Sequence, residues 1–125
     1  MEIIKKLEIS EEQMADLLVC AFEGGINYWC GKIEITAFPE KTKPEDDFSN
    51  MLASDIVPKG GTIALHDDED PDEIYWLNKE KMLKGISLGM DWGNFATVEE
   101  LMDGHDAETA DVIVQYAIFG EITFG

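Results

Sequence analysis

Two short apolar-alternating segments separated by little except acid constrain this chain most. Thr62–His66 puts Ile63 and Leu65 on one face. Glu73–Leu77 puts Ile74 and Trp76 on one face and Tyr75 and Leu77 on the other. A period of two is the mark of a strand with two different environments. The link between them, Asp67 to Asp72, is almost entirely acidic, so the pair reads as a β-hairpin with a charged tip. A hairpin commits the sheet to antiparallel pairing.

The remaining segments are read around that hairpin. Ser10-Glu11-Glu12-Gln13 is a capping box, with Ile9 and Met14 at the staple positions. Met14, Leu17, Leu18, Ala21 and Phe22 then form an apolar stripe, and Gly24-Gly25 stops it, which predicts a helix over 11–23. Residues 28–38 are rich in aromatic and β-branched types, with Ile33 and Ile35 alternating with Lys32, Glu34 and Thr36, and predict a strand. Phe48, Met51, Leu52 and Ile56 recur at helical spacing and predict a helix ended by Pro58 and Gly60-Gly61. Asn78 caps a predicted helix of about 79–89 carrying Met82, Leu83, Ile86 and Met90 inward, weakened by Gly85 and Gly89. Thr97-Val98-Glu99-Glu100 is a second capping box, opening a short helix closed by Gly104. Asp106 caps a helix of about 107–118 whose inward face is Ala110, Ile113, Val114, Ala117 and Ile118; Glu121 to Phe124 predicts a terminal strand. No βαβ rhythm of the length that a parallel sheet needs is present. The fold class expected is therefore α+β, one domain over 1–125, with a small, mainly antiparallel sheet of about three or four strands covered by helices as a single layer pair.

Charge limits the function classes. The chain carries 9 lysines, no arginine and 27 acids, a formal net charge of −18. Nine cations cannot pair with 27 acids, so most carboxylates belong on the surface, where they repel phosphate backbones and anionic lipid and attract basic partners. No apolar run approaches the ~20 residues of a membrane span. Glu2, Lys5, Lys6 and Glu8 interrupt the segment where a secretory leader would be apolar, which points to the cytoplasm. Cys20 and Cys30 lack C-x-x-C spacing and are expected as free thiols.

No catalytic, cofactor or metal motif emerges. There is no nucleophile elbow, P-loop or dinucleotide fingerprint. The acids Asp67, Asp68, Glu69, Asp70, Asp72 and Glu73 suit a hard cation in type, yet the EF-hand register fails. Counted from Asp68, the sixth position is Glu73 where glycine is needed, and the twelfth is Lys79 where glutamate is needed. His66 and His105 have no partner histidine four residues away. The candidate partner-binding residues are the loop acids Asp67, Asp68, Glu69, Asp70 and Asp72, the aromatics Tyr75 and Trp92, and Glu99, Glu100, Asp103, Asp106 and Glu108. From Asp91 onward there is no lysine, and Asp111 and Glu121 add to the same expected anionic face. The same acids also serve solubility and helix-dipole matching in first turns.

The motifs at Glu23 to Cys30 (EGGINYWC), Leu77 to Ile86 (LNKEKMLKGI) and Asp106 to Gly125 (DAETADVIVQYAIFGEITFG) carry a resemblance. The chain resembles the small acidic proteins of tailed phages and prophages. These open on a helix ending in Gly-Gly-x-x-Tyr-Trp and close on an Asp-x-x-x-Ala-Asp helix running into a Phe-Gly-Glu tail. The resemblance implies a phage or prophage origin and carries no active-site residue. Charge and resemblance together predict a non-enzymatic accessory protein in the host bacterium's cytoplasm. It would bind a basic host protein, such as a nucleic-acid-handling or defence factor, through a face that mimics nucleic acid, as an anti-defence inhibitor does. It would have no cofactor and no direct contact with nucleic acid or membrane, and self-association is left open. The alternative is a small-ligand, nucleotide or metal-sequestering module, against which the absence of arginine weighs.

Overall fold

The computed structural model describes residues 7–125; residues 1–6, on which part of the argument against a leader rests, lie outside the described residues. The elements are α1 (Glu11–Cys20), β1 (Cys30–Ala37), α2 (Ala53–Ile56), β2 (Thr62–Asp67), β3 (Ile74–Leu77), α3 (Lys79–Asp91), α4 (Val98–Gly104) and α5 (Ala107–Phe119). The sheet is antiparallel in the order β1-β2-β3. This is an α+β fold.

The sheet register follows from the alternation. Ile33 pairs with Leu65 and Ile35 with Ile63; Ile63 and Leu65 pair in turn with Leu77 and Tyr75. These side chains share the face that packs on the helices, where Ile63, Leu65 and Leu77 are fully buried. The opposite face carries Lys32, Glu34, His66, Ile74 and Trp76, and Trp76 is half exposed. A register shift between Cys30 and Lys32 makes Gly31 a bulge beside Asp68, at the end of the sheet where the acidic loop begins.

The caps sit where the sequence places them. The Ser10 hydroxyl accepts the Gln13 N–H at 3.0 Å, and the Gln13 amide oxygen accepts the Ser10 N–H at 2.9 Å. Asn78, Thr97 and Asp106 cap α3, α4 and α5 by one side-chain bond each, from the N–H of Lys81, Glu100 and Thr109, so only the Thr97 half of the box expected at Thr97–Glu100 forms among the described residues. At its end α1 widens into a π-turn, Ala21–Gly25, closed by the Ile26 N–H on the Ala21 carbonyl at 2.9 Å. A side chain at Gly25 would meet the Ala107 carbonyl at 2.6 Å, so glycine lets this turn rest on the start of α5.

The core is built around α5 and α3. Met82 and Ile86 of α3 meet Ile113 and Ala117 of α5, with Leu17, Leu18 and Leu101 closing the cluster. Burying each such side chain contributes roughly 1.5–3 kcal/mol relative to leaving it exposed, whereas a surface ion pair such as Lys59–Glu11 contributes at most about 1 kcal/mol. Apolar packing therefore decides the fold.

Four expectations are corrected. The helix predicted from Phe48 shrinks to Ala53–Ile56. The Asp47 carboxylate accepts both the N–H and the hydroxyl of Ser49, a local turn that competes with the helix, and Leu52 stays extended and exposed. Residues 121–124 form no strand, because the N–H groups of Thr123 and Phe124 go to the Gln115 side chain. α5 buries Asp111, Gln115 and Tyr116 as well as its apolar face. Gly85 and Gly89, read as weak points of α3, are points of close approach. A Cβ on Gly85 would lie 2.6 Å from the Ile113 carbonyl and 2.8 Å from the Ala117 nitrogen.

Candidate functional site: an acidic loop beside an aromatic hollow

The loop between β2 and β3 is organised by its first residue. Asp67 Oδ1 accepts the N–H groups of Glu69 at 2.8 Å and Asp70 at 3.0 Å, and Oδ2 accepts the Tyr75 hydroxyl at 2.8 Å. Asp70 repeats the device by accepting the Asp72 N–H at 3.2 Å. The Asp68 N–H donates to the Trp29 carbonyl at 2.8 Å, which ties the loop to the start of β1. The bonds from the N–H groups of Asp70 and Glu69 and from the Tyr75 hydroxyl, in that order, hold the Asp67 carboxyl below the usual carboxylate range. Among the described residues no lysine forms an ion pair with any carboxylate of this loop.

Beneath the loop lies an aromatic box. The Phe124 ring stacks on Trp29 with centroids 5.0 Å apart, and Tyr75 and Phe119 meet them edge-on. An open hollow of about 430 Å³ lies between loop and box, lined by Tyr28, Tyr75, Phe124, Asp67, Glu69, Asp70 and Glu73. Tyr28 and Phe124 also border a second hollow of about 460 Å³, which Glu108 helps to line.

A buried polar network holds this region to α5. Asp111, only 6% exposed, accepts the Trp29 Nε1–H at 2.7 Å, the Tyr28 hydroxyl at 2.5 Å and the Gln115 Nε2–H at 2.9 Å. Gln115 in turn accepts the N–H groups of Thr123 and Phe124, both at 2.8 Å, and so clasps the segment that carries the Phe124 ring. No buried side-chain polar atom among the described residues lacks a partner. Loss of water around the hydroxyl, then the bond to a carboxylate, pushes both Tyr28 and Tyr75 up to about 12. Both hydroxyls therefore remain donors at neutral pH.

The structure gathers some candidates and separates others. Asp67, Glu69, Asp70 and Tyr75 converge on the first hollow, and Glu108 stands at the second. Asp68 turns toward Gly31, and Asp72 sits exposed on the loop. Trp92 is elsewhere: it packs edge-on against Tyr116, whose hydroxyl donates to Asn94 at 3.1 Å. Glu99 lines a separate depression with Glu8 and Met90. Glu100 supplies the N–H that Thr97 caps, Asp103 is exposed, and Asp106 is held by its capping bond to the Thr109 N–H at 2.9 Å. Asp111 leaves the expected solvent face altogether. Its signal is legible in retrospect: Asp111 and Gln115 are polar residues four apart within the largely apolar run that follows Thr109.

The histidines have local partners. His66 Nε2 lies 3.1 Å from Glu34, and His105 Nδ1 lies 3.2 Å from the carbonyls of Leu101 and Met102. Among the described residues no cluster of three or more His, Cys, Asp and Glu could hold a metal ion. Cys20 and Cys30 are free thiols that burial pushes up, away from the reactive thiolate. No helix among the described residues is long and apolar enough to cross a membrane. No family model, curated protein or solved structure matches the chain.

Proposed function

We propose that this chain is a phage- or prophage-encoded, non-enzymatic accessory protein of the bacterial cytoplasm that binds a basic host protein through its acidic surface. The observation that carries this reading is the loop from Asp67 to Glu73. Asp67 and Asp70 are fixed by backbone and tyrosine donors, not by lysines, and with the carboxylates of Glu69 and Glu73 they line an aromatic hollow. Their net charge thus remains available to an outside cation. Carboxylates so displayed can stand in for phosphates, so a nucleic-acid-handling or defence factor whose basic groove they occupy is the partner class proposed.

The test is affinity capture from bacterial lysate at low salt, followed by titration of the identified protein in purified form. A basic partner whose affinity falls steeply as salt is raised supports the proposal. Capture of nothing at low salt, or of a partner insensitive to salt, overturns it.

A further inference from the structure

We infer that the hollow between the acidic loop and Phe124 receives an arginine side chain of the partner. This rests on the reading of the chain as a binder of basic protein and adds where and how the contact is made.

Two kinds of side chain line the hollow. Tyr28, Tyr75 and Phe124 supply rings, whose faces are electron-rich and attract cations. Glu69, Asp70 and Glu73 supply carboxylates to the same lining. A phosphate or carboxylate ligand is repelled by the carboxylates and gains nothing from the rings. A neutral ring can stack but leaves the carboxylates without a partner. A cation with a flat face uses both at once. Guanidinium is planar, stacks on aromatic faces, sheds water more readily than ammonium and presents a fork of N–H donors that matches carboxylate oxygens.

The walls are also fixed before any ligand arrives. The Tyr75 hydroxyl is spent on Asp67 and the Tyr28 hydroxyl on Asp111, so neither ring swings freely. Phe124 is held by its stack on Trp29 and by the Gln115 clasp on its N–H. Asp67 uses both oxygens internally, but Glu69 and Glu73 form no hydrogen bond through their carboxylates to the described residues. The scaffold is pre-organised and the charged rim is uncommitted, the combination that lowers the cost of binding. The chain has no arginine of its own to fill the place, so the cation must come from another molecule.

The experiment compares two double variants that remove equal charge. Glu69→Gln with Glu73→Gln alters the hollow; Glu40→Gln with Glu45→Gln alters the exposed loop after β1, outside it. Each is titrated calorimetrically with an arginine-glycine peptide, a citrulline-glycine peptide and a lysine-glycine peptide of one length, after circular dichroism shows native folding. The inference expects the hollow variant to weaken the arginine peptide about tenfold and the loop variant less than about threefold. It expects the citrulline peptide not to bind and the lysine peptide to bind more weakly than arginine. In nuclear magnetic resonance spectra the arginine peptide should shift Tyr75 and Phe124. Equal weakening by both variants, or equal affinity for lysine, overturns the hollow as an arginine site while leaving the acidic surface as a binder. Failure of the arginine peptide to bind the parent protein at low salt overturns both.

Discussion

Replacing Asp111 with alanine tests the network that holds the aromatic box. Three donors converge on this carboxylate: the Trp29 indole, the Tyr28 hydroxyl and the Gln115 amide. Trp29 is 3% exposed, so its N–H has no water to turn to; orphaning it costs about 1–3 kcal/mol. Gln115 keeps weaker contacts of 3.3 Å to the Phe124 carbonyl and the Tyr28 hydroxyl, so its loss is about 1 kcal/mol. Tyr28 lies at the edge and can bond to water. Relief from burying a carboxylate offsets part of the sum. The net expectation for Asp111→Ala is destabilisation of about 3 kcal/mol, or a fall in Tm of about 10 °C. Asparagine is the informative partner. Trp29 and Gln115 both bond to Oδ1, which asparagine retains, and the Tyr28 hydroxyl can accept from the new amide. Asp111→Asn should therefore cost about 1 kcal/mol. Urea unfolding followed by circular dichroism measures both. Equal losses in the two variants would refute the donor assignment, and a negligible loss in Asp111→Ala would refute the network as a structural device.

Gly85→Ala should destabilise by about 2 kcal/mol despite alanine's better helix propensity, because the methyl meets the α5 backbone at 2.6 and 2.8 Å; thermal unfolding checks it. Gln115→Ala should release residues 121–125, seen as faster hydrogen exchange at the Thr123 and Phe124 amides with exchange in α3 less affected. The tyrosines predict alkaline behaviour. Tyr28 and Tyr75 rise from their ordinary value of 10.0 to about 12 on folding, so their contribution is complete below pH 10 and is lost as pH climbs through about 12; a tyrosine absorbance titration beside denaturant midpoints checks it. At the acid end, Asp67 and Asp106 are lowered by their backbone bonds. Their contribution is present above the ordinary carboxylate range and fades as pH falls through the lowered folded values, which Tm against pH will show.

Much of the fold was legible because local chemistry and tertiary packing agree. Ser10, Asn78, Thr97 and Asp106 cap the helices they predict, and the alternation around Ile63, Tyr75 and Leu77 sets the hairpin register. The failures fall where a side chain competes with the backbone pattern. Asp47 diverts the segment read as a helix, and Gln115 takes the N–H groups that a terminal strand would have used. The site was half legible. The acid run marks the loop, but which rings lie beneath it depends on contacts from Tyr28, Tyr75 and Phe124, far apart in sequence. Asp111 was misread because surface placement is the rule for aspartate. Only the converging donors from Tyr28, Trp29 and Gln115 make its burial affordable.

The three tryptophans occupy three settings: Trp29 enclosed behind Phe124, Trp76 half open on the bare sheet face, and Trp92 half open against Tyr116. The chain thereby carries its own set of spatially separated fluorophores. Emission from the enclosed indole should lie to the blue of the other two. Quenching by a soluble agent should silence the outer pair first, so events at the aromatic box can be followed by light without attaching a dye.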